Sequence, residues 1–346
     1  LNAIRFDDCR WLKHRGQSAE IVLSSRIRLA RNIKGLPFSH WASSGQLEQI
    51  IERVQEVLPK CKETKDMEII RLDRISSLDR EFLLERHLIS REMARGQDFR
   101  LVAVSPDETL SIMVNEEDHL RIQCLRPGLE LRQIWERINE VDDQLSDHLE
   151  FAFSPKWGYL TACPSNVGTG IRCSVMIHLP ALVLAKQVDR VLNAISQVGL
   201  TVRGILGEGS EISGSLAQLS NQMTLGISEQ ESLERLEKVT RQIIANELEA
   251  QRQLMREARL LVEDKIYRAY GTLKGARIIS TQETMELVSA LRFGRTSGVL
   301  SEIPYETMNE ILICTRPAHL QKMAGSELPP KERDVYRAQF IRQRLN

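Results

Sequence analysis

The sequence predicts an α+β protein: an antiparallel sheet flanked by helices over residues 1–226, then a mostly helical region over 227–346. Three observations carry this. Strand-like stretches cluster in the first part instead of alternating regularly with helices, as βαβ units would. A loop rich in Pro, Asn and Gly at 161–174 and a glycine-rich loop at 207–214 separate them. From Ser228 to Ile266, Glu, Arg, Gln, Leu and Ala dominate and turn formers almost vanish.

The elements follow in order. Residues 1–20 are a polar leader containing Trp11. Residues 21–31, read as a strand, put Arg26 and Arg28 on one face and Ile27 and Leu29 on the other. The apolar period of 46–58 predicts a helix, and 78–90 a second with His87 near its end. Residues 101–104 and 110–124 read as two strands joined by a Ser-Pro-Asp-Glu turn. On that reading Glu117, His119, Arg121 and Gln123 share a polar face, and Leu120, Ile122 and Cys124 share the core face. Residues 129–149 and 187–198 are helical, 200–206 strand-like. From 228 to 266, Leu233, Leu236, Val239, Ile243, Ile244 and Leu248 trace one helical stripe, suited either to a dimer contact or to burial within its own region.

With 47 basic and 47 acidic residues the formal net charge is zero, which removes the electrostatic case for general nucleic-acid or membrane-surface binding. Any anion site must be a local gathering of cations. The six cysteines are scattered with no C-x-x-C pair, arguing against a zinc site or a disulfide framework and for a reducing, cytoplasmic setting. No apolar run reaches the roughly 18 residues of a membrane helix.

Five arginines, Arg26, Arg28, Arg121, Arg172 and Arg203, sit in apolar or turn-like contexts where a guanidinium is costly to keep. Its fork suits phosphate oxygens, and the chain has no G-x-x-x-x-G-K-[ST] pattern to do that work instead. Cys163 lies in a polar loop near Arg172, where a thiolate would be favoured, although a lone cysteine is commonly packing. Glu208 and Glu211 occupy the glycine-rich loop.

Four blocks resemble the phosphagen kinases in content and order: Ser24-Ser25-Arg26-Ile27-Arg28, Asn115-Glu116-Glu117-Asp118-His119-Leu120-Arg121, Cys163-Pro164-Ser165-Asn166-Val167-Gly168-Thr169, and Arg203-Gly204 with Gly207-Glu208. Within that superfamily the chain looks most like the bacterial protein arginine kinases. The Ser-x-Arg-x-Arg block begins at Ser24, without the N-terminal helical domain of the small-molecule enzymes, and some 120 residues follow the catalytic blocks.

The resemblance implies a glutamine-synthetase-like catalytic domain and transfer of the ATP γ-phosphoryl to protein arginine. Mg²⁺ would be held mainly through ATP, with no dedicated protein metal site. It implies Glu117, Glu208 and Cys163 at the guanidinium, with Glu116 and Glu211 as further carboxylates. Arg26, Arg28, Arg121, Arg172 and Arg203 would hold the nucleotide phosphates, with His87 near the base. Arg333, Asp334 and Arg337 resemble a segment that binds phosphoarginine away from the active site, with Tyr336 departing from the pattern by replacing an arginine. Also implied are a homodimer, allosteric and stress-response behaviour, hand-over of marked substrates to a Clp-type protease, and an activator protein. The alternatives are a kinase of a free guanidino compound and a non-catalytic phosphoarginine-binding adaptor.

Overall fold

The computed structural model describes residues 4, 9–12, 15–96, 98–204 and 213–346. Its strands are β1 (Val22–Arg31), β2 (Glu68–Arg71), β3 (Leu101–Val104), β4 (Leu110–Val114), β5 (Leu120–Pro127), β6 (Phe153–Ser154), β7 (Gly158–Tyr159), β8 (Ile171–His178), β9 (Leu200–Gly204) and β10 (Leu216–Asn221). Eight of them form one antiparallel sheet in the order β2-β3-β4-β5-β1-β8-β10-β9, while β6 and β7 pair as a separate hairpin.

Between the strands run α1 (Ser44–Val57), α2 (Ser77–Glu85), α3 (Arg91–Arg95), α4 (Leu131–Ser146), α5 (Pro180–Leu184) and α6 (Val188–Gln197). The helical region comprises α7 (Glu229–Glu257), α8 (Arg259–Gly275), α9 (Thr281–Thr296), α10 (Tyr305–Cys314), α11 (Pro317–Ala324) and α12 (Pro330–Leu345).

One face of the sheet is apolar. Ile27, Leu29, Ile122, Cys124, Ile171, Cys173, Val175 and Leu219 are all fully buried there. Helix α4 covers them with Leu131, Ile134, Ile138, Val141 and Leu145, a stripe at helical spacing. Each such side chain contributes about 1.5–3 kcal/mol by leaving water. The amphipathic stripe of α7 turns inward as well: Leu233, Leu236, Ile243 and Ile244 are buried in the same core cluster. Within this chain that stripe is therefore occupied by its own fold. The long helix read over 228–266 is broken at Ala258, whose φ of −138° leaves the helical basin.

The opposite face is covered unevenly. Over β2–β4, Val102, Val104 and Met113 pack under Phe82, Leu83 and Met93 of α2–α3, with Ala318 of α11 joining them. Near Leu125, the turn carrying Trp11 and Leu12 meets Ile313 of α10. Between these covers, the middle of β1, β5, β8, β10 and β9 stays open.

Two strand and helix assignments are corrected. Residues 114–123 are not one strand: β4 ends at Val114 and β5 begins at Leu120, with a tight reversal between. Asn115 turns the corner at φ 59°, its side-chain amide donating to Leu47 O and Phe99 O, both at 2.9 Å. Asparagine tolerates this left-handed conformation better than most residues. The helix expected over 78–90 stops at Glu85, and His87 lies in the following turn at φ 62°.

Glu85 also fastens the helical region to the sheet region. Its carboxylate accepts from the backbone N–H of Ala318 and His319 at the start of α11, both at 2.9 Å. His319 Nδ1 lies 2.8 Å from the same carboxylate, and Arg86 Nε donates to His319 Nε2 at 3.1 Å. Burial holds the His319 pKa down, consistent with a neutral ring carrying its proton on Nδ1. Glu85→Ala is expected to lower the unfolding free energy by about 2–3 kcal/mol, since three hydrogen bonds to a charged acceptor vanish. Urea unfolding measures it; an unchanged midpoint would mean that apolar packing alone holds α11.

Candidate active site

Register places the arginines together. Arg28 lies opposite Gln123 of β5 on one side and Arg172 of β8 on the other. Arg121 pairs with Ala30, and Arg203 of β9 lies opposite Gln218 of β10. Residues directly opposite one another share a sheet face, so these side chains and Arg26 project from the open face while their neighbours in sequence enter the core. They line a cavity of about 330 Å³ together with Glu117 and Cys163.

The electrostatics are lopsided. Among the described residues no carboxylate forms an ion pair with Arg26, Arg28, Arg172 or Arg203, and the Nε atoms of Arg26 and Arg28 are buried without a hydrogen-bond partner. Burial, then Arg121 and Arg172, pull the Arg26 pKa down to about 10. Arg28 is held well below its usual value by burial and by Arg26, Arg121 and Arg172, against an opposing pull from Glu116. Burial and then Arg203 and Arg121 lower that of Arg172. Cations pressed together in this way fit a polyanion.

Arg121 alone is tethered. Its Nη1 donates to Glu116, which also accepts from Ser90 Oγ, and its Nη2 lies 3.4 Å from Glu117 Oε2. Glu116 is thus buried and committed to aiming Arg121. Glu117 remains 41% exposed at the cavity mouth. Sequence reasoning put Glu117 and Arg121 on one strand face; they meet instead across the turn from β4 to β5.

Asp118 and Asn32, neither singled out from sequence, hold that turn. Asp118 Oδ1 accepts from Asn32 Nδ2 at 2.7 Å and from the backbone N–H of Ala162 at 2.6 Å. Asn32 Oδ1 in turn accepts from His119 N at 2.9 Å. One buried carboxylate therefore joins the Glu117 turn to the loop carrying Cys163. The Cys163 thiol lies 3.1 Å from Ser165 Oγ. The loop re-enters the sheet at Gly170, where a Cβ would stand 2.7 Å from Ala30 O, so only glycine fits at its φ of 65°.

The remaining candidates lie apart. His87 lines a neighbouring pocket, with its ring 6.3 Å from that of Trp11. Glu208 and Glu211 fall outside the described residues. On α12, Arg337 is buried, donating to Thr315 O at 2.8 Å, Ile279 O at 2.9 Å and to Asp334, while Arg333 is half-buried. Among the described residues no cluster of three or more His, Cys, Asp or Glu side chains is placed to hold a metal ion, and no helix is long and apolar enough to cross a membrane.

Comparison with known proteins meets this geometry. Residues 49–250 match the C-terminal catalytic domain of the ATP:guanido phosphotransferases, and 259–346 match the C-terminal domain of protein-arginine kinase McsB. A protein-arginine kinase of Pelotomaculum thermopropionicum is 48% identical over 336 residues, 96% of this chain and 94% of that protein. The chain belongs to the protein-arginine kinase family. That of Symbiobacterium thermophilum is also 48% identical, covering 98% of this chain and 97% of its own length. The fold is that of lombricine kinase, with a TM-score of 0.61 at 23% identity over 72% of this chain and 71% of that one. The duplicated taurocyamine kinase of Schistosoma mansoni, solved with bound transition-state-analogue components, superposes with the same score at 22% identity, over 81% of this chain and 41% of that one.

Two outcomes test this geometry. Arg26→Met should raise the unfolding free energy of the ligand-free protein by roughly 1–3 kcal/mol, because a disfavoured buried charge is removed. Thermal melts would show it, and a destabilised variant would overturn the uncompensated-charge picture. Asp118→Ala should cost about 2–3 kcal/mol and slow phosphoryl transfer, read together by urea unfolding and initial rates.

Proposed function

We propose that this enzyme transfers the ATP γ-phosphoryl group to arginine side chains of proteins. The observation that carries the reading is the meeting, in one cavity, of arginines that have no counter-charge among the described residues with an exposed carboxylate and a thiol at the mouth. The triphosphate would lie along Arg26, Arg28, Arg172 and Arg203, whose mutual repulsion it relieves. Arg121, aimed by Glu116, would face the transferred group. Mg²⁺ bound through the nucleotide oxygens would supply further neutralisation of the phosphates.

At the mouth, Glu117 would accept a hydrogen bond from the incoming guanidinium and orient one nitrogen toward the γ-phosphorus. As the N–P bond forms and the bond from the phosphorus to the β–γ bridging oxygen breaks, ADP leaves and Glu117 takes the guanidinium proton. A guanidinium is a poor nucleophile because its positive charge is delocalised and its pKa exceeds about 12. Holding it against a carboxylate is therefore the main contribution the chain can make. The 41% exposure of Glu117 supports a substrate presented on a protein surface.

Kinship with the protein-arginine kinases supports placing this activity in a bacterial cytoplasm, marking proteins for a Clp-type protease under stress, with an activator protein and a homodimer as expected companions. On α12, Arg333 is the better candidate to meet a phosphoarginine, since Arg337 is occupied with backbone carbonyls.

Incubation of casein or free arginine with ATP, followed by mass spectrometry under non-acidic conditions that spare the P–N bond, tests the reading. Phosphoarginine is expected on casein; label on free arginine alone would overturn it. Glu117→Ala should lower the rate by about 10²–10⁴-fold with folding retained, and Cys163→Ser should lower it as well. Parent-like rates would leave these side chains without the assigned roles.

A further inference from the structure

Most of the large apolar side chains that the described sheet region leaves in water are Trp41, Phe153, Trp157, Met223 and Leu225. A single exposed apolar residue is ordinary, whereas a gathering of them marks a contact surface. These five stand on three segments, and each segment is hydrogen-bonded to the stretches of chain that carry Glu117 and Cys163.

The first segment is 33–43. His119, two residues after Glu117, grips it with both ring nitrogens: Nδ1 accepts from Ile33 N at 2.9 Å and Nε2 donates to Pro37 O at 2.8 Å. Just beyond, a turn closed from Trp41 N to Phe38 O at 2.8 Å sets the Trp41 ring 4.4 Å from that of His40 and 6.0 Å from that of Phe38. Trp41 itself stays 72% exposed.

The second segment is the β6–β7 hairpin. Tyr159 and Gly168 exchange backbone hydrogen bonds of 2.8 and 3.2 Å, which fixes the hairpin, with Phe153 and Trp157, to the loop that begins at Cys163. The third is 223–225. Thr224 O accepts from Thr169 N at 3.0 Å, and the Thr224 hydroxyl lies 2.9 Å from Ser165 O and 2.8 Å from Val167 O. Met223 and Leu225 therefore stand beside the same loop.

An arginine that reaches Glu117 is still part of a polypeptide. Three or four residues on either side of it extend about 10–13 Å, at some 3.3 Å per residue. The rim lies on that scale: Trp41 is four residues from the Pro37 carbonyl that His119 holds, Trp157 is two from Tyr159, and Met223 and Leu225 are next to Thr224. The cavity receives the guanidinium and the phosphates, so the flanking residues meet this rim, whose surface is aromatic and aliphatic. Tryptophan is enriched among the residues that carry most of the energy at protein contacts.

We infer that the apolar rim formed by Trp41, the β6–β7 hairpin, Met223 and Leu225 docks the polypeptide around the target arginine and favours arginines with apolar side chains three or four residues away. The inference rests on the protein-arginine reading above and adds to it a sequence preference in the substrate. Glu117 and the arginine face perform the transfer, and the rim selects which arginines receive it.

Two peptides of equal charge with one central arginine test this, the first with leucine and phenylalanine at the flanking positions, the second with serine and glycine there. Initial rates with the full chain and ATP give kcat/KM for each. The parent should favour the apolar peptide by about tenfold, expressed in KM. Trp41→Ser and, separately, Trp157→Ser should each cut that ratio by about threefold or more, through the KM of the apolar peptide. A merely structural role would instead move kcat for both peptides together and leave the ratio as it was. The two substitutions lie on separate segments and thermal melts report folding, so a fold lost in one leaves the other to decide. A parent ratio near one overturns the docking inference and leaves the protein-arginine reading standing. So does a ratio that survives in both variants, or a parent active on casein but on neither peptide. A parent that phosphorylates neither the peptides nor casein refutes the protein-arginine reading itself.

Discussion

The structure depends on a charge imbalance held in place by an apolar core. Four arginines face one cavity without a carboxylate to pair with among the described residues, two of them with buried, unpartnered Nε atoms. Such an arrangement lowers stability, and it persists because the other face of the same strands is packed against α4 and α7. Alternation along each strand makes the two faces inseparable: Ile27 and Leu29 anchor the backbone from which Arg26 and Arg28 project. Shifting the register by one residue would bury the cations and expose the core.

Around this imbalance, the carboxylates take separate tasks. Glu116 is buried and aims Arg121; Glu117 is left facing solvent. Asp118 touches neither cation and instead ties the Glu117 turn to the Cys163 loop through Asn32 and the Ala162 N–H. Three adjacent acidic residues thus differ in function because a tight turn sends their side chains in different directions. An extended strand would have put Glu116 and Asp118 on one face and Glu117 on the other.

Much of the fold was readable because burial imposes simple periods. The alternation of 21–31 and the stripe of 129–149 each matched the element formed, within the usual blurring at the ends. The gathering of Arg26, Arg28, Arg121, Arg172 and Arg203 was readable only as an oddity of context; register, which the sequence does not display, brings them together. The reversal at 115–119 was missed because it contains neither glycine nor proline, and Asn115 was the one available sign. Asn32 and Asp118 gave no signal, since a buried pair of loops separated by 86 residues has no local pattern. The approach of α10 and α11 to the sheet was equally invisible, being a contact between distant parts of the chain.

That distance has a consequence for how the molecule comes into being. Arg86 and His319 touch across 233 residues of chain, and Trp11 meets Ile313 across a still longer interval. Contacts of such separation form late in folding, because closing the loop costs entropy before any packing rewards it. During synthesis the sheet and its arginines emerge well before α10 and α11. A nascent chain would therefore display the cation-lined face while the neighbouring pocket still lacked a wall. The order of the sequence thus leaves that pocket open on one side until nearly all of these residues have been made.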